Sequence, residues 1–381
     1  MQRRIELDAA RGAMLVWMTL THLPTIISTY FNQPFGFVSG AEGFIFLSAL
    51  FTGRIYFLAA ERSGYRAMAK QLWLRTARLY LYHVALLGVA FVVVAYLASG
   101  GNRPGLHNLL DFYFAAPRQA LIYAALLIYR PPLLDILPMY ITFLLLTPVI
   151  LRVARRAGWK PILTAGFTLW LLAQFGLRQI LYDFGTRVSG VNIPLSATGS
   201  FDLFAWQFMW LVGLCCGVRW AKDDLPVTEW AKRMLMPALV IVPILLVLRY
   251  SVGRGVELGM FEGSFDKWHL GIVRIINFAA IAALLIRFQP VMKALAIRPL
   301  VTMGQASLQV FCAHILFCFV GLAIMGDAPI VNGWHEAILL TMTLSGMLLT
   351  ARIFSNKQRQ TAKGHGLANR SAGGPIAQFG D

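Results

Sequence analysis

The sequence predicts an all-α protein, a polytopic integral membrane bundle of about ten transmembrane helices. Three observations carry that reading. Hydrophobic residues make up 58% of the 381 and charged residues only 13%, where a soluble domain carries about 25% charged residues. Mean hydropathy is accordingly positive, at +0.64. Apolar runs of spanning length recur along the whole chain, and the connections between them alternate between rich and poor in Lys and Arg.

Taken in order, the apolar segments are about 13–30, 36–60, 79–98, 133–151, 161–182, 201–219, 235–251, 268–287, 299–325 and 335–353. The basic set of connections holds Arg3, Arg4 and Arg11, then Arg62 to Arg78, Arg152 to Lys160, Arg219 to Arg233, Arg287 to Arg298, and Arg352 to Arg359. By the positive-inside rule both termini are expected in the cytoplasm, which agrees with an even number of spans. The formal charge of +17 sits in these short connections. It reads as topology signal and contact with the lipid bilayer, so no nucleic-acid partner is expected. The connection 99–132 holds Gly100-Gly101, Pro104, Pro117 and Pro131-Pro132 around an apolar piece, Ala120–Tyr129. That piece is too short to span and reads as a re-entrant or interfacial helix. A span there would put the termini on opposite sides. The expected organisation is a single transmembrane domain, 1–355, and a polar, Gly-rich cytoplasmic tail, 356–381, expected to be disordered. Cys215, Cys216, Cys312 and Cys318 all fall in apolar segments, so neither a disulfide nor a metal site is expected. The first apolar run lacks a small-residue cleavage site, and no cleaved signal peptide is expected.

Chemistry concentrates in the first segment. Asp8, Arg11, Leu15, Met18 and His22 fall on one stripe at steps of three and four. Arg11 and His22 are eleven residues apart, roughly 16 Å along a helix. That puts Arg11 at a membrane surface and His22 near mid-bilayer, where an ionisable side chain is costly and functional by default. Imidazole suits proton transfer at neutral pH, so His22 is the candidate base. Glu42 enters the second segment after a short turn at Asn32-Gln33-Pro34. Glu42 is expected at the depth of His22, where a carboxylate would fix the imidazole tautomer. Gly40 and Gly43 leave room for a close helix or a ligand.

Further polar residues follow where the bilayer should be. Arg75 and Arg78, one turn apart, suit phosphate groups, as do ordinary positive-inside arginines; His83 lies further in. Ser200 is a plausible N-cap, and Asp202 and Trp206 share a face beyond it, resembling a sugar-binding edge. Arg274 and Asn277 lie inside the eighth segment, and Arg274 needs an acidic partner or a ligand, for which Glu42 or Asp202 could serve. Ser307 and His314 lie two turns apart on one face of the ninth. No Walker A loop, GxSxG elbow, HExxH or CxxC pair occurs. A histidine base with acidic and basic helpers is present, and acyl transfer between bound molecules needs little more.

These stretches resemble the OpgC family of polytopic membrane proteins, within the wider membrane acyltransferase type 3 superfamily. The resemblance rests on Glu6-Leu-Asp8-Ala-Ala-Arg11-Gly12, Thr21-His22-Leu-Pro24, Gln33 to Ser48 around Glu42, and Asp135-Ile-Leu-Pro138-Met-Tyr140. It continues through Phe204-Ala-Trp206-Gln207, Asp266-Lys267, Arg274-Ile-Ile-Asn277-Phe and Gly304 to His314. One departure is Ala10, where a Leu or Phe often precedes Arg-Gly. The resemblance implies a bacterial inner-membrane O-acyltransferase that moves an acyl group, usually succinyl, from cytoplasmic acyl-CoA to hydroxyls of a periplasmic glucan acceptor. It places the superfamily histidine at His22, its neighbouring arginine at Arg11 and the cytoplasmic pair at Arg75 and Arg78. On this reading His22 and Glu42 are catalytic, and Arg11, Arg75 and Arg78 bind the acyl-CoA. Asp202, Trp206, Arg274, Asn277, Ser307 and His314 meet the substrate. A proton-coupled transporter or exporter stays open, as does an acetyltransferase acting on another envelope glycan. The oligomeric state is not legible.

Overall fold

The computed structural model describes residues 4–100, 103–325 and 333–371, with side chains to Asn356 in the last stretch. Among the described residues every regular element is helical. Helix α1, Ile5–His22, ends where Leu23 turns extended (φ −71°, ψ 138°), because the residue before Pro24 is pushed out of the helical region. The short α2, Ile26–Phe31, leads through a turn to α3, Gly40–Val89. The start of α3 is set by Glu42, whose carboxylate reaches back to accept from Ser39 N at 3.0 Å and Ser39 Oγ at 2.6 Å.

A π-helical turn, Ala90–Val94, and α4, Ala95–Ser99, extend α3 into a continuous 60-residue stretch. It is not one rod. Gly64 sits at φ 79°, ψ 163°, a backbone conformation that only glycine adopts without strain. The expected segments 36–60 and 79–98 therefore lie on either side of this break. Three short helices follow: α5, Pro104–Leu109, α6, Asp111–Ala115, and α7, Pro117–Ala125. The nine residues of α7 reach about 13 Å, too little to cross a bilayer.

Helix α8 is Ile136–Ala157, α9 Trp159–Gln174 and α10 Leu177–Ser189. The expected segment 161–182 is thus split, by Gly176 at φ 83°. Helix α11, Leu203–Ala221, is followed by α12, Val227–Val252, and the single turn α13, Glu262–Phe265. The expected segment 268–287 begins as helix only at Ile272, so Asp266 to Gly271 lie before it. Helix α14, Ile272–Arg287, bends by 89° into α15, Gln289–Leu295. Then come α16, Arg298–Gln305, α17, Ser307–Met325, and α18, Gly333–Ser371. Residues 356–371, expected to be disordered, are helical backbone here, and 372–381 lie outside the described residues.

Among the described residues, six stretches are long and apolar enough to cross a membrane, or seven with the bent pair α14–α15. The sequence count was about ten. Two expected segments share the 60-residue stretch, α9 has 16 residues, and α1 carries Glu6, Asp8 and Arg11 in its first half.

The core gathers on α1, α3, α8, α11 and α17, where Leu15, Ile45, Leu144, Trp206 and Ile315 have no accessible surface. Helix α12 stands outside it, with only 6% of its most apolar stretch buried, as a lipid-facing helix would. Small residues set the crossing of α1 and α16. A β-carbon at Gly12 would overlap the Leu300 carbonyl, and one at Gly304 the Asp8 carbonyl. Gly40 and Gly43 receive Met18 and Met14 of α1, so α1 is gripped from two sides.

Candidate active site

His22 is the last residue of α1, and it meets His314 of α17. His22 Nδ1 lies 3.2 Å from His314 Nε2, with ring centroids 5.4 Å apart. His314 Nδ1 lies 3.3 Å from the Phe311 carbonyl oxygen. Lower on the same two helices, Arg11 Nη2 donates to Ser307 Oγ at 2.5 Å. The expected stripes of α1 and α17 therefore face each other as a parallel ladder. His314 is buried, while His22 keeps a partly accessible edge.

Glu42 does not hold His22, as the sequence suggested it would. Its side chain is fully buried against Arg274, whose Nε donates at 2.8 Å and whose Nη2 donates to the same oxygen. The other Glu42 oxygen is occupied by Ser39. The reason lies in the helix start: capping α3 turns the carboxylate back toward its own N-terminus, away from α1. Arg274 thus finds the acidic partner its depth demands. Its Nη1 has no hydrogen-bond partner. Asn277, one turn on, accepts from Phe37 N at 2.8 Å and leaves Nδ2 unpaired.

Beneath the histidine pair is a cavity of about 50 Å³. Arg11, Arg75, Tyr140, Ser307, Phe44 and Phe311 are among the residues that line it. The Phe311 ring stacks on Phe44 at 5.8 Å and lies 5.3 Å from the His314 ring, so one aromatic ring separates cavity from imidazoles. Arg75 Nη2 donates to Tyr140 Oη at 3.1 Å. Arg78 is exposed and does not line the cavity, so the expected pair is divided.

A polar cluster lies at the other end. Lys267 is close enough for its charge to act on His22, and likewise on Glu42, Arg274 and Asp135. Burial lowers the Lys267 pKa, and the charge of Glu42 opposes that effect. Its Nζ lies 4.8 Å from the centre of the Trp268 ring. Asp266 and His269 pair at 2.5 Å. The hydrogen bond that His269 donates to Asp266 raises His269, against the effect of burial.

Asp202 and Trp206 do not form an open sugar edge. Asp202 caps α11, its Oδ1 accepting from Phe204 N at 2.8 Å and Ala205 N at 3.3 Å, while Oδ2 is buried and unpaired. Trp206 has no accessible surface, its Nε1 donating to the Trp268 carbonyl at 3.1 Å. Trp268, at 40% exposed, is the outward ring. Sequence reasoning missed Lys267, Tyr140 and Phe311 as site residues. A lysine opening an apolar segment looks like an interface anchor, and aromatics within spans look like core. His83 is buried with both ring nitrogens unpartnered. No group of three or more metal-binding side chains occurs among the described residues.

The family model described as OpgC protein matches residues 3–359. The chain belongs to the OpgC family. That match contains the histidine pair, the Glu42–Arg274 ion pair, the cavity and Lys267, so the whole candidate site lies within the OpgC region. No curated protein and no solved structure matches the chain.

Proposed function

We propose that this OpgC-family protein is a membrane O-acyltransferase. It moves an acyl group, succinyl by preference, from acyl-CoA on the cytoplasmic side to hydroxyls of a periplasmic glucan. The observation that carries the reading is one arrangement: a partly accessible His22 backed by His314, one ring away from a cavity lined by Arg11 and Arg75. Membership of the family supports it. The alternation of basic connections supports an orientation with both termini in the cytoplasm, and the proposed location is the inner membrane.

In this reading the acyl-CoA enters past Arg11 and Arg75, whose guanidiniums suit phosphate and polar acyl-arm groups. Rotation of Phe311 would open the way from cavity to imidazole. His22 takes the proton of a glucan hydroxyl as the oxygen attacks the thioester carbon. The carbon–sulfur bond breaks, and the proton passes from His22 to the leaving thiolate. Lys267, whose charge acts on His22, would offset part of the negative charge that develops on the carbonyl oxygen. The unpaired donors on Arg274 and Asn277 suit an acceptor-only group, such as the distal carboxylate of succinyl.

The test is turnover by the purified protein in detergent, given succinyl-CoA and a neutral glucan. Release of CoA thiol that depends on glucan, with a matching gain of acidic glucan, is expected, and His22→Ala should abolish both. Thiol release without glucan modification would sink the acceptor assignment. Counterflow of glucan in proteoliposomes without turnover would replace transfer with transport.

A further inference from the structure

Building on the acyl-transfer reading, we propose that His314 fixes the tautomer of His22. His22 then carries its proton on Nδ1 and presents Nε2 as the base. The argument runs outward from a carbonyl. The Phe311 carbonyl oxygen can only accept a hydrogen bond, and His314 Nδ1 lies 3.3 Å from it. His314 Nδ1 is therefore the protonated nitrogen. A neutral imidazole has one proton, so His314 Nε2 bears a lone pair. His22 Nδ1, at 3.2 Å from that lone pair, must be the donor. Its own Nε2 is left unprotonated and free to take a proton from substrate.

Neutrality of the pair follows from its surroundings. An imidazolium without an anion is costly in a dry interior, and the carboxylate expected here, Glu42, is committed to Arg274 and Ser39. Lys267, whose charge also acts on His22, is a cation and disfavours a second one. The alternative, a doubly protonated His314, would make His22 Nδ1 the acceptor and block Nε2 with a proton. Burial also separates the roles, since His314 is closed off while His22 keeps an accessible edge. His314 is thus a positioning residue. It cannot pass a proton further, because a carbonyl cannot take one, so it orients His22 and stabilises the imidazolium formed in the reaction. A neutral imidazole does here what a carboxylate does in a serine–histidine–aspartate triad.

The test has two independent readouts on the full chain in detergent or nanodiscs. The first is nitrogen NMR of histidine-labelled protein. The chain has seven histidines, so the His22 signals are isolated as those lost in His22→Ala. The expected result is a protonated Nδ1 and a bare Nε2 on His22, the tautomer that free imidazole side chains disfavour in water. In His314→Ala that preference should relax toward the Nε2-protonated form. A wild-type His22 protonated on Nε2 overturns the proposal, whatever the activity.

The second readout is steady-state acyl transfer, with thermal unfolding of each variant as the check on fold. His314→Ala should lower kcat roughly 100-fold or more, the share a general base contributes, with KM for acyl-CoA unchanged. His314→Gln, whose amide oxygen can accept from His22 Nδ1, should recover most of that loss. Equal loss in both variants, with both folded, overturns the positioning role. If the wild type transfers no acyl group but His22 shows the Nδ1-protonated form, the reaction is wrong and the tautomer assignment stands.

Discussion

Glu42 and Arg274 lie 232 positions apart in the chain and form an ion pair in which neither side chain has accessible surface. The pair joins the start of α3 to the first turn of α14. It also explains why a carboxylate and a guanidinium persist where the bilayer should be: each removes the other's desolvation problem. Breaking such a pair from one side is much worse than removing both charges, because the survivor is left buried and uncompensated.

Arg274→Met should therefore destabilise the protein by about 3–5 kcal/mol. The double variant Glu42→Gln with Arg274→Met should recover most of that. Thermal unfolding in detergent reads both. A single variant as stable as the wild type would show that the pair contributes nothing net.

Arg75 and Arg78 separate in the structure, and their substitutions should separate as well. Arg75 lines the cavity and donates to Tyr140, whereas Arg78 is exposed. Arg75→Ala should raise KM for acyl-CoA about tenfold or more, the cost of losing a charge-assisted hydrogen bond. Arg78→Ala should change it less than about threefold. Initial rates over a range of acyl-CoA concentration give both numbers, and equal effects would restore the sequence-based pairing.

How much was legible beforehand depended on whether a residue acts along its own helix or across to another. The helical stripes on α1 and α17 were readable from spacing alone, and they do face each other at Arg11–Ser307 and His22–His314. The buried cations and anions were readable from their cost in lipid. Partner choice was readable only in part, since Glu42 was a candidate both for Arg274, which it meets, and for His22, which it does not. Glu42 lies at a suitable sequence distance from His22, but its cap on Ser39 turns it away. Trp206 has the composition of a sugar edge, yet packing against Phe201, at 4.9 Å and 83°, buries it. Gly64 and Gly176 break helices through positive φ, which apolar runs do not advertise.

The Asp266–His269 pair gives a pH dependence outside the spans. His269 is raised by its hydrogen bond to Asp266, so it binds its proton more tightly folded than unfolded. That stabilisation is complete below about pH 6.5 and fades as pH rises through the raised value. Burial pushes Asp266 up, but the hydrogen bonds from His269 and from the Trp268 backbone, with the charge of His269, together outweigh it and hold the carboxyl below its usual value. Its share is present above about pH 3.9 and is lost as pH falls through the lowered value. The pair is partly exposed, at 45% and 28%, so its contribution is no more than about 1 kcal/mol. The difference in melting temperature between wild type and Asp266→Asn should be largest near pH 5 and shrink toward pH 8. A difference that grows with pH would contradict the assignment.

The crossing of α1 and α16 should tolerate no side chain at Gly12. A β-carbon there would overlap the Leu300 backbone carbonyl, which cannot swing aside as a flexible side chain does. The helices would have to separate, and Arg11 and His22 would shift against Ser307 and His314. Gly88 serves as the control, because nothing lies within 4 Å of a β-carbon built there. Gly12→Ala should cost about 1–3 kcal/mol, the range for overpacking, and lower acyl transfer more steeply than stability alone accounts for. Gly88→Ala should be neutral or slightly stabilising, since alanine is the better helix former by about 1 kcal/mol. Melting temperature and turnover measured together decide it: a Gly12→Ala protein that melts and turns over like the wild type would mean that close approach of α1 and α16 does not hold the histidine ladder in register.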